Sequence, residues 1–115
     1  MDLKVHNNKV AKIINDPKEV QKKIGLEMAK TLKRRFNELK ASSNFKEYLD
    51  MGIGKPHSLL GELNKCYGIS INKNYRLIVE PLVESLDIES LKECQNINIK
   101  GVVEYHAGKY EWLIP

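Results

Sequence analysis

Cysteine is nearly absent from this chain: Cys66 and Cys94 are the only two among 115 residues. No Cys-x-x-Cys pair and no mixed His/Cys cluster accompanies them, which argues against a zinc site. Two thiols without such a framework fit a reduced, cytosolic protein. Long apolar runs are missing as well. Nothing approaches the roughly 18 consecutive apolar residues of a membrane span. The start, Met1-Asp2-Leu3-Lys4-Val5-His6, has no apolar run of signal-peptide length. A cytoplasmic protein without a membrane partner is therefore expected. Repeats and low-complexity tracts are absent too, and no composition shift marks a second domain, so residues 1–115 are read as one.

What remains is an ordinary soluble composition, 42% hydrophobic and 30% charged. A chain of this length buries roughly two-thirds of its unfolded surface, enough for a core without staples. Nineteen basic against fifteen acidic residues give a net charge of +4, a mild lean toward polyanions.

Leu3 and Val5 alternate with polar neighbours and suggest a short first strand. Asn7-Asn8 can cap a helix over 8–14, and Asp16-Pro17 starts another, with Asp as cap and Pro in the first turn. The spacing of Val20, Ile24, Met28, Leu32, Phe36 and Leu39 predicts one helix over 17–41 with a single apolar sector. Lys22, Lys23, Lys30, Lys33 and Arg34 fall opposite, as a solvated face or one for RNA or an acidic partner. Arg35 falls inside the apolar sector and must snorkel, pair with a carboxylate or face a partner. Asn44 can cap a further turn or two.

Two glycines and a proline make 51–56 a loop, and His57 follows it directly. From Tyr67 the period becomes two. Strands are expected over 67–72 and 75–81, joined by a tight turn at Lys73-Asn74. Residues 82–96 read as a loop with one amphipathic turn, capped by Asp87 or Ser90 with Leu91 inward. Another strand runs from Ile97 to His106, Ala107-Gly108 breaks it, and Tyr110, Trp112 and Ile114 can add an edge strand. The fold class is α+β: a curved antiparallel sheet of four to five strands packed against N-terminal helices.

Such a sheet has one covered and one open face. Strict alternation assigns Ile69, Ile71, Leu77, Val79, Ile97, Ile99 and Val103 to the covered face. It assigns Ser70, Asn72, Arg76, Glu80, Lys100, Glu104 and His106 to the open one, with His57 at its rim. These are the parts needed to cleave RNA without a metal. A base takes the ribose 2′ proton, an acid protonates the leaving 5′ oxygen, and a cation holds the charge gathering on phosphorus. Histidine suits either proton role, and arginine's planar fork matches phosphate oxygens. Tyr67 or Tyr105 can stack on an exposed base. From spacing alone, Arg76 equally suits a surface ion pair with Glu80 or Glu104, and His57 a loop residue holding a carbonyl.

Three motifs carry a resemblance. They are the basic helix end Lys33-Arg34-Arg35-Phe36-Asn37-Glu38-Leu39; the run Pro56-His57-Ser58-Leu59-Leu60-Gly61-Glu62 followed by Tyr67-Gly68-Ile69-Ser70-Ile71 and Tyr75-Arg76-Leu77-Ile78-Val79-Glu80-Pro81; and Val103-Glu104-Tyr105-His106. In this order they resemble type II toxins of the RelE/ParE superfamily, in its HigB-like (plasmid maintenance killer) branch. The resemblance implies a ribosome-dependent mRNA endonuclease that needs no cofactor. Its expected partners are a cognate antitoxin, a small helix-turn-helix protein, and the ribosome with its mRNA. By motif position, Arg76 becomes the phosphate cation, His57 and His106 the proton-transfer or positioning residues, and Glu104 a group orienting a histidine. Lys55, Lys65, Tyr67, Lys100 and Tyr105 are the accompanying RNA-binding candidates. Leu60 and Leu63 stand where many relatives are basic, and Lys55 and Lys65 are the cations available to replace them. A ParE-like toxin on the same fold, inhibiting a protein such as DNA gyrase without catalysis, is the alternative.

Overall fold

Four polar side chains set where four of the five helices begin. Asn7 Oδ1 accepts from the Val10 amide at 3.0 Å, Asp16 Oδ1 from Lys18 at 3.0 Å, Asn44 Oδ1 from Glu47 at 2.9 Å and Asp87 Oδ1 from Ser90 at 2.8 Å. Each satisfies an amide that the first turn leaves without a partner. In the computed structural model, which describes residues 1–115, these caps open α1 (Asn8–Ile14), α2 (Pro17–Ile24), α4 (Phe45–Met51) and α5 (Ile88–Glu93). The remaining helix, α3 (Leu26–Ala41), starts without a side-chain cap.

The single helix expected over 17–41 is thus two. Gly25 lies between them at φ +83°, a left-handed backbone that glycine tolerates and that no helix continues through. The apolar series still works across the break. Val20, Ile24, Leu32 and Leu39 are buried in one core, and Met28 and Phe36 pack against it. Arg35, the cation inside that series, meets Glu38 at 3.1 Å and donates through Nε to the Ser70 carbonyl at 2.9 Å. It ties α3 to the sheet.

The sheet has six strands: β1 (Asp2–Val5), β2 (His57–Ser58), β3 (Tyr67–Ser70), β4 (Tyr75–Pro81), β5 (Asn96–His106) and β6 (Lys109–Ile114). Their order is β1-β5-β4-β3-β2, with β6 also on β5. The α+β class stands, with one strand more than expected and one parallel pair. β1 runs parallel to the first half of β5, while β6 returns antiparallel along its second half. No helix is long and apolar enough to cross a membrane.

One bulge changes the parity of β5. Ile78 faces Gly101 and Val79 faces Ile99, so Lys100 has no opposite residue. Ile97 and Ile99 point into the helix-covered core as expected, but beyond the bulge Val102 takes the core side. Val103 instead joins Ile78 and Cys66 in a second, smaller cluster, against which Leu59, Leu63, Tyr105 and Tyr110 pack. Residues 59–66 therefore roof part of the face expected to be open.

The main core contains Phe45, whose ring meets Tyr67 edge-on at 5.0 Å, and Tyr48, whose hydroxyl donates to the Ile53 carbonyl at 3.0 Å. Burial, with a smaller contribution from Glu38, pushes the Tyr48 phenol up to about 12. A folded value above the ordinary 10 means that this stabilisation is complete below pH 10 and is lost as pH rises toward 12. Tyr48→Phe is expected to cost about 1 kcal/mol at neutral pH through the orphaned carbonyl. In urea titrations the gap between wild type and variant should narrow between pH 10 and 12.

Candidate nucleic-acid interface

The loop before β2 is shaped by three left-handed residues, Gly52 (φ +70°), Gly54 (+74°) and Lys55 (+47°). Gly54 is tightly enclosed. Its carbonyl accepts from the Ser70 amide at 2.7 Å, and a Cβ there would lie 2.6 Å from Ile69 Cγ2 and 2.9 Å from Arg35 Nε. This contact swings the chain back so that His57 pairs with Gly68 on β3. The ring lies over that glycine: a Cβ on Gly68 would sit 3.6 Å from His57 Cε1 and 3.7 Å from Nε2. His57 Nδ1 lies 3.2 Å from the Lys55 carbonyl. A carbonyl only accepts, so Nδ1 carries the proton of that bond, and Nε2 is the nitrogen left to exchange one. Gly68→Ala, at ordinary contact distance, is expected to leave the fold and the His57 ring in place. Gly68→Leu should displace the ring and press on Leu59, whose Cδ2 is the nearest atom to a carbon added there, visible as a changed His57 imidazole NMR shift with a lowered melting temperature.

Arg76 opens β4, directly after the 71–74 turn. Asn72 Oδ1 shapes that turn by accepting from the amides of Asn74 (2.8 Å) and Tyr75 (2.7 Å). Arg76 Nη1 donates to three backbone carbonyls, Asn72 at 2.8 Å, Lys73 at 3.1 Å and Tyr75 at 3.1 Å. Nε and Nη2 make no bond within the chain and are free for an anion. The guanidinium carbon lies 6.0 Å from the centre of the Tyr105 ring, within cation–π range. Burial pushes the Tyr105 phenol up, with Tyr110 adding to the rise and Arg76 opposing it.

Two adjoining clefts share His57 and Arg76. One is completed by Lys55, Ser70 and Lys73; the other by Asn74, Tyr105, His106 and the Ala107-Gly108 turn. No carboxylate lines either cleft, and Lys55, Lys73 and Arg76 enter no ion pair. Strand register puts β2 and β4 two strands apart, about 10 Å across the sheet. The side chains of His57 and Arg76 thus flank a space wide enough for a phosphodiester. Lys73 belongs to this set although its sequence context marked only a turn. The available signal was its position three residues before Arg76, on the same connection.

Several expected members lie elsewhere. Tyr67 is buried against Phe45, so it stacks on the core and is closed to a base. Glu104, expected on the open face, faces Tyr75 on one side and Glu111 on the other, because the Lys100 bulge shifts it by one position. The same shift brings Tyr105 to Arg76. His106 reaches the rim of the second cleft, but its Nε2 lies 4.0 Å from Glu111 Oε2. The ligand atoms of Glu104, His106 and Glu111 lie within 4.8 Å of one another. Lys100 points to a separate cavity, 3.9 Å from Glu80 and 3.3 Å from His6 Nδ1. Lys65 is exposed and lines neither cleft.

No protein-family model matches the chain, and no curated protein matches it. Solved structures do. The YoeB–YefM complex from Staphylococcus aureus matches at 21% identity and TM-score 0.53, over 92% of this chain and 97% of that one. The YoeB dimer from the same organism gives 18% and 0.54 over the same shares. A YoeB/ParE toxin from Agrobacterium tumefaciens gives 16% and 0.54, over 92% of this chain and 99% of its own. Over 92% of its length, this chain has the fold of the YoeB/ParE toxins.

Proposed function

We propose that this chain is the toxin of a type II toxin–antitoxin pair, acting in the cytoplasm as a ribosome-dependent mRNA endonuclease. The observation that carries this reading is the pair of clefts in which two histidines, three cations and a tyrosine converge with no carboxylate among them. The shared fold and the HigB-like motif order support it, as does the YoeB–YefM complex for an antitoxin partner.

In this mechanism the scissile phosphate sits between His57 and Arg76. His57 Nε2 takes the 2′ proton as the 2′ oxygen attacks phosphorus. Arg76 Nε and Nη2 hold the equatorial oxygens while charge accumulates, with Lys55 and Lys73 beside them. His106 returns a proton to the departing 5′ oxygen, giving a cyclic phosphate and a free 5′ hydroxyl. Glu111, with Glu104 beside it, orients the His106 ring. Tyr105 offers its face to the neighbouring base. Each proton role is worth roughly 100- to 10,000-fold.

One observation favours the non-catalytic alternative. Arg76 Nη1 is committed to its own turn, and Glu104 points away from it. A ParE-like inhibitor of a protein target such as gyrase needs only that surface. Inducing the chain in growing bacteria, then mapping mRNA 5′ ends and plasmid supercoiling in the same culture, separates the two. New ends within translated codons are the expected result. Altered supercoiling with intact mRNA is the contrary one.

A further inference from the structure

A second cavity opens on the same sheet face, beside the Arg76 clefts. Tyr110, Trp112 and Leu63 form apolar walls, Lys100 and His6 supply nitrogen donors, and Glu62 also lines it. Strand register explains why it faces the same way. Arg76 pairs with Val103, and Val103 pairs with Trp112, so all three share a side of the sheet.

An unbroken series of rings joins the two places. Arg76 lies 6.0 Å from the Tyr105 ring, Tyr105 is 5.8 Å from Tyr110, and Tyr110 is 6.2 Å from Trp112, edge-on at 84°. Trp112 remains 39% exposed although it packs beside Gly101, so an accessible aromatic surface persists. Lys100, freed from cross-strand pairing by the bulge, donates to His6 Nδ1 at 3.3 Å. That bond fixes the His6 proton on Nε2. Glu80, 3.9 Å from the ammonium, holds Lys100 at the cavity and leaves its other N–H bonds available.

We infer that this cavity binds a second nucleotide of single-stranded RNA: its base stacks on Trp112 and Tyr110, and Lys100 meets its phosphate. The strand would run from the Arg76 cleft across Tyr105. Two strand spacings, about 10 Å, separate Arg76 from Trp112, within reach of a neighbouring nucleotide. The inference deepens the proposed RNA-cleaving function and rests on it for the nature of the strand.

Trp112 is the only tryptophan, so its emission reports on this cavity alone. The test is titration of the purified chain with a short single-stranded oligoribonucleotide, 2′-O-methylated to prevent cleavage. Trp112 emission and the anisotropy of the labelled strand are followed together. Saturable quenching is expected. Trp112→Leu should weaken binding by roughly 5- to 100-fold in anisotropy. Lys100→Gln should weaken it and lower the salt slope by about 1, which a merely structural role for Trp112 does not do. Arg76→Ala should weaken binding of the strand, yet still quench Trp112 at saturation. Quenching in a chain that cuts no mRNA would keep the cavity while removing the nuclease reading. Binding without quenching, quenching indifferent to Lys100→Gln, or no binding at all would overturn the proposal.

Discussion

Replacing Arg76 with alanine is expected to abolish growth arrest on induction, with RNA cleavage falling by at least about 100-fold. The guanidinium is the one permanent charge common to both clefts, and its Nε and Nη2 have no partner in the chain. The bonds lost on truncation are three contacts from a single nitrogen to a surface turn. Asn72 Oδ1 holds that turn independently. The stability cost should stay near 1 kcal/mol, so the melting curve separates lost chemistry from lost fold. Arg76→Lys keeps the charge without the planar fork and should recover only part of the activity. An Arg76→Ala protein that melts normally and still arrests growth removes Arg76 from the mechanism.

The largest stability effect is expected at Gly101. Its φ is +143°, and a Cβ there would lie 2.0 Å from the Ile114 carbonyl oxygen and 3.1 Å from Trp112 Cζ3. No rotamer relieves a clash between backbone atoms. Gly101→Ala must therefore push the end of β6 off β5 and expose Ile114, which is fully buried beside Val102. Backbone strain of roughly 1–3 kcal/mol adds to roughly 1.5–3 kcal/mol of lost burial. Together they take a large part of a typical domain's stability of roughly 5–15 kcal/mol. Gly108→Ala is the control. Its φ of +77° is also left-handed, but nothing lies within 4 Å of the added carbon, so about 1 kcal/mol is expected. Denaturant midpoints of the two variants should differ widely; similar midpoints would mean that β6 is not seated as described.

Gly101 also shows where sequence and structure part. Period and capping chemistry made most elements legible: Asn7, Asp16, Asn44 and Asp87 each cap a helix, and Tyr75–Pro81 forms one strand. Alternation correctly placed Ile69, Ile71, Leu77, Val79, Ile97 and Ile99 against the helices. It failed beyond Lys100, because strict period two has no way to register one extra residue in a strand. That single bulge moved Val103 and Tyr105 onto the Arg76 face and Glu104 off it. A glycine inside an apolar strand was the available sign. Gly25 is the matching case among the helices, since the apolar spacing runs unbroken through it while the backbone does not. The long-range pairing of His57 with Gly68 had no local signal. It depends on Gly54 fitting between Ile69 and Arg35, a contact between distant parts of the chain.

Under the proposed function, the His57–Arg76 cleft cuts mRNA on translating ribosomes. A purified translation system supplied with the wild-type chain or Arg76→Ala decides this, by mapping the 5′ ends of one mRNA translated and untranslated. New ends inside the translated reading frame, absent from untranslated mRNA and from the Arg76→Ala reaction, are the expected result. Intact mRNA with the folded wild-type chain present, or equal cutting by both proteins, would contradict it.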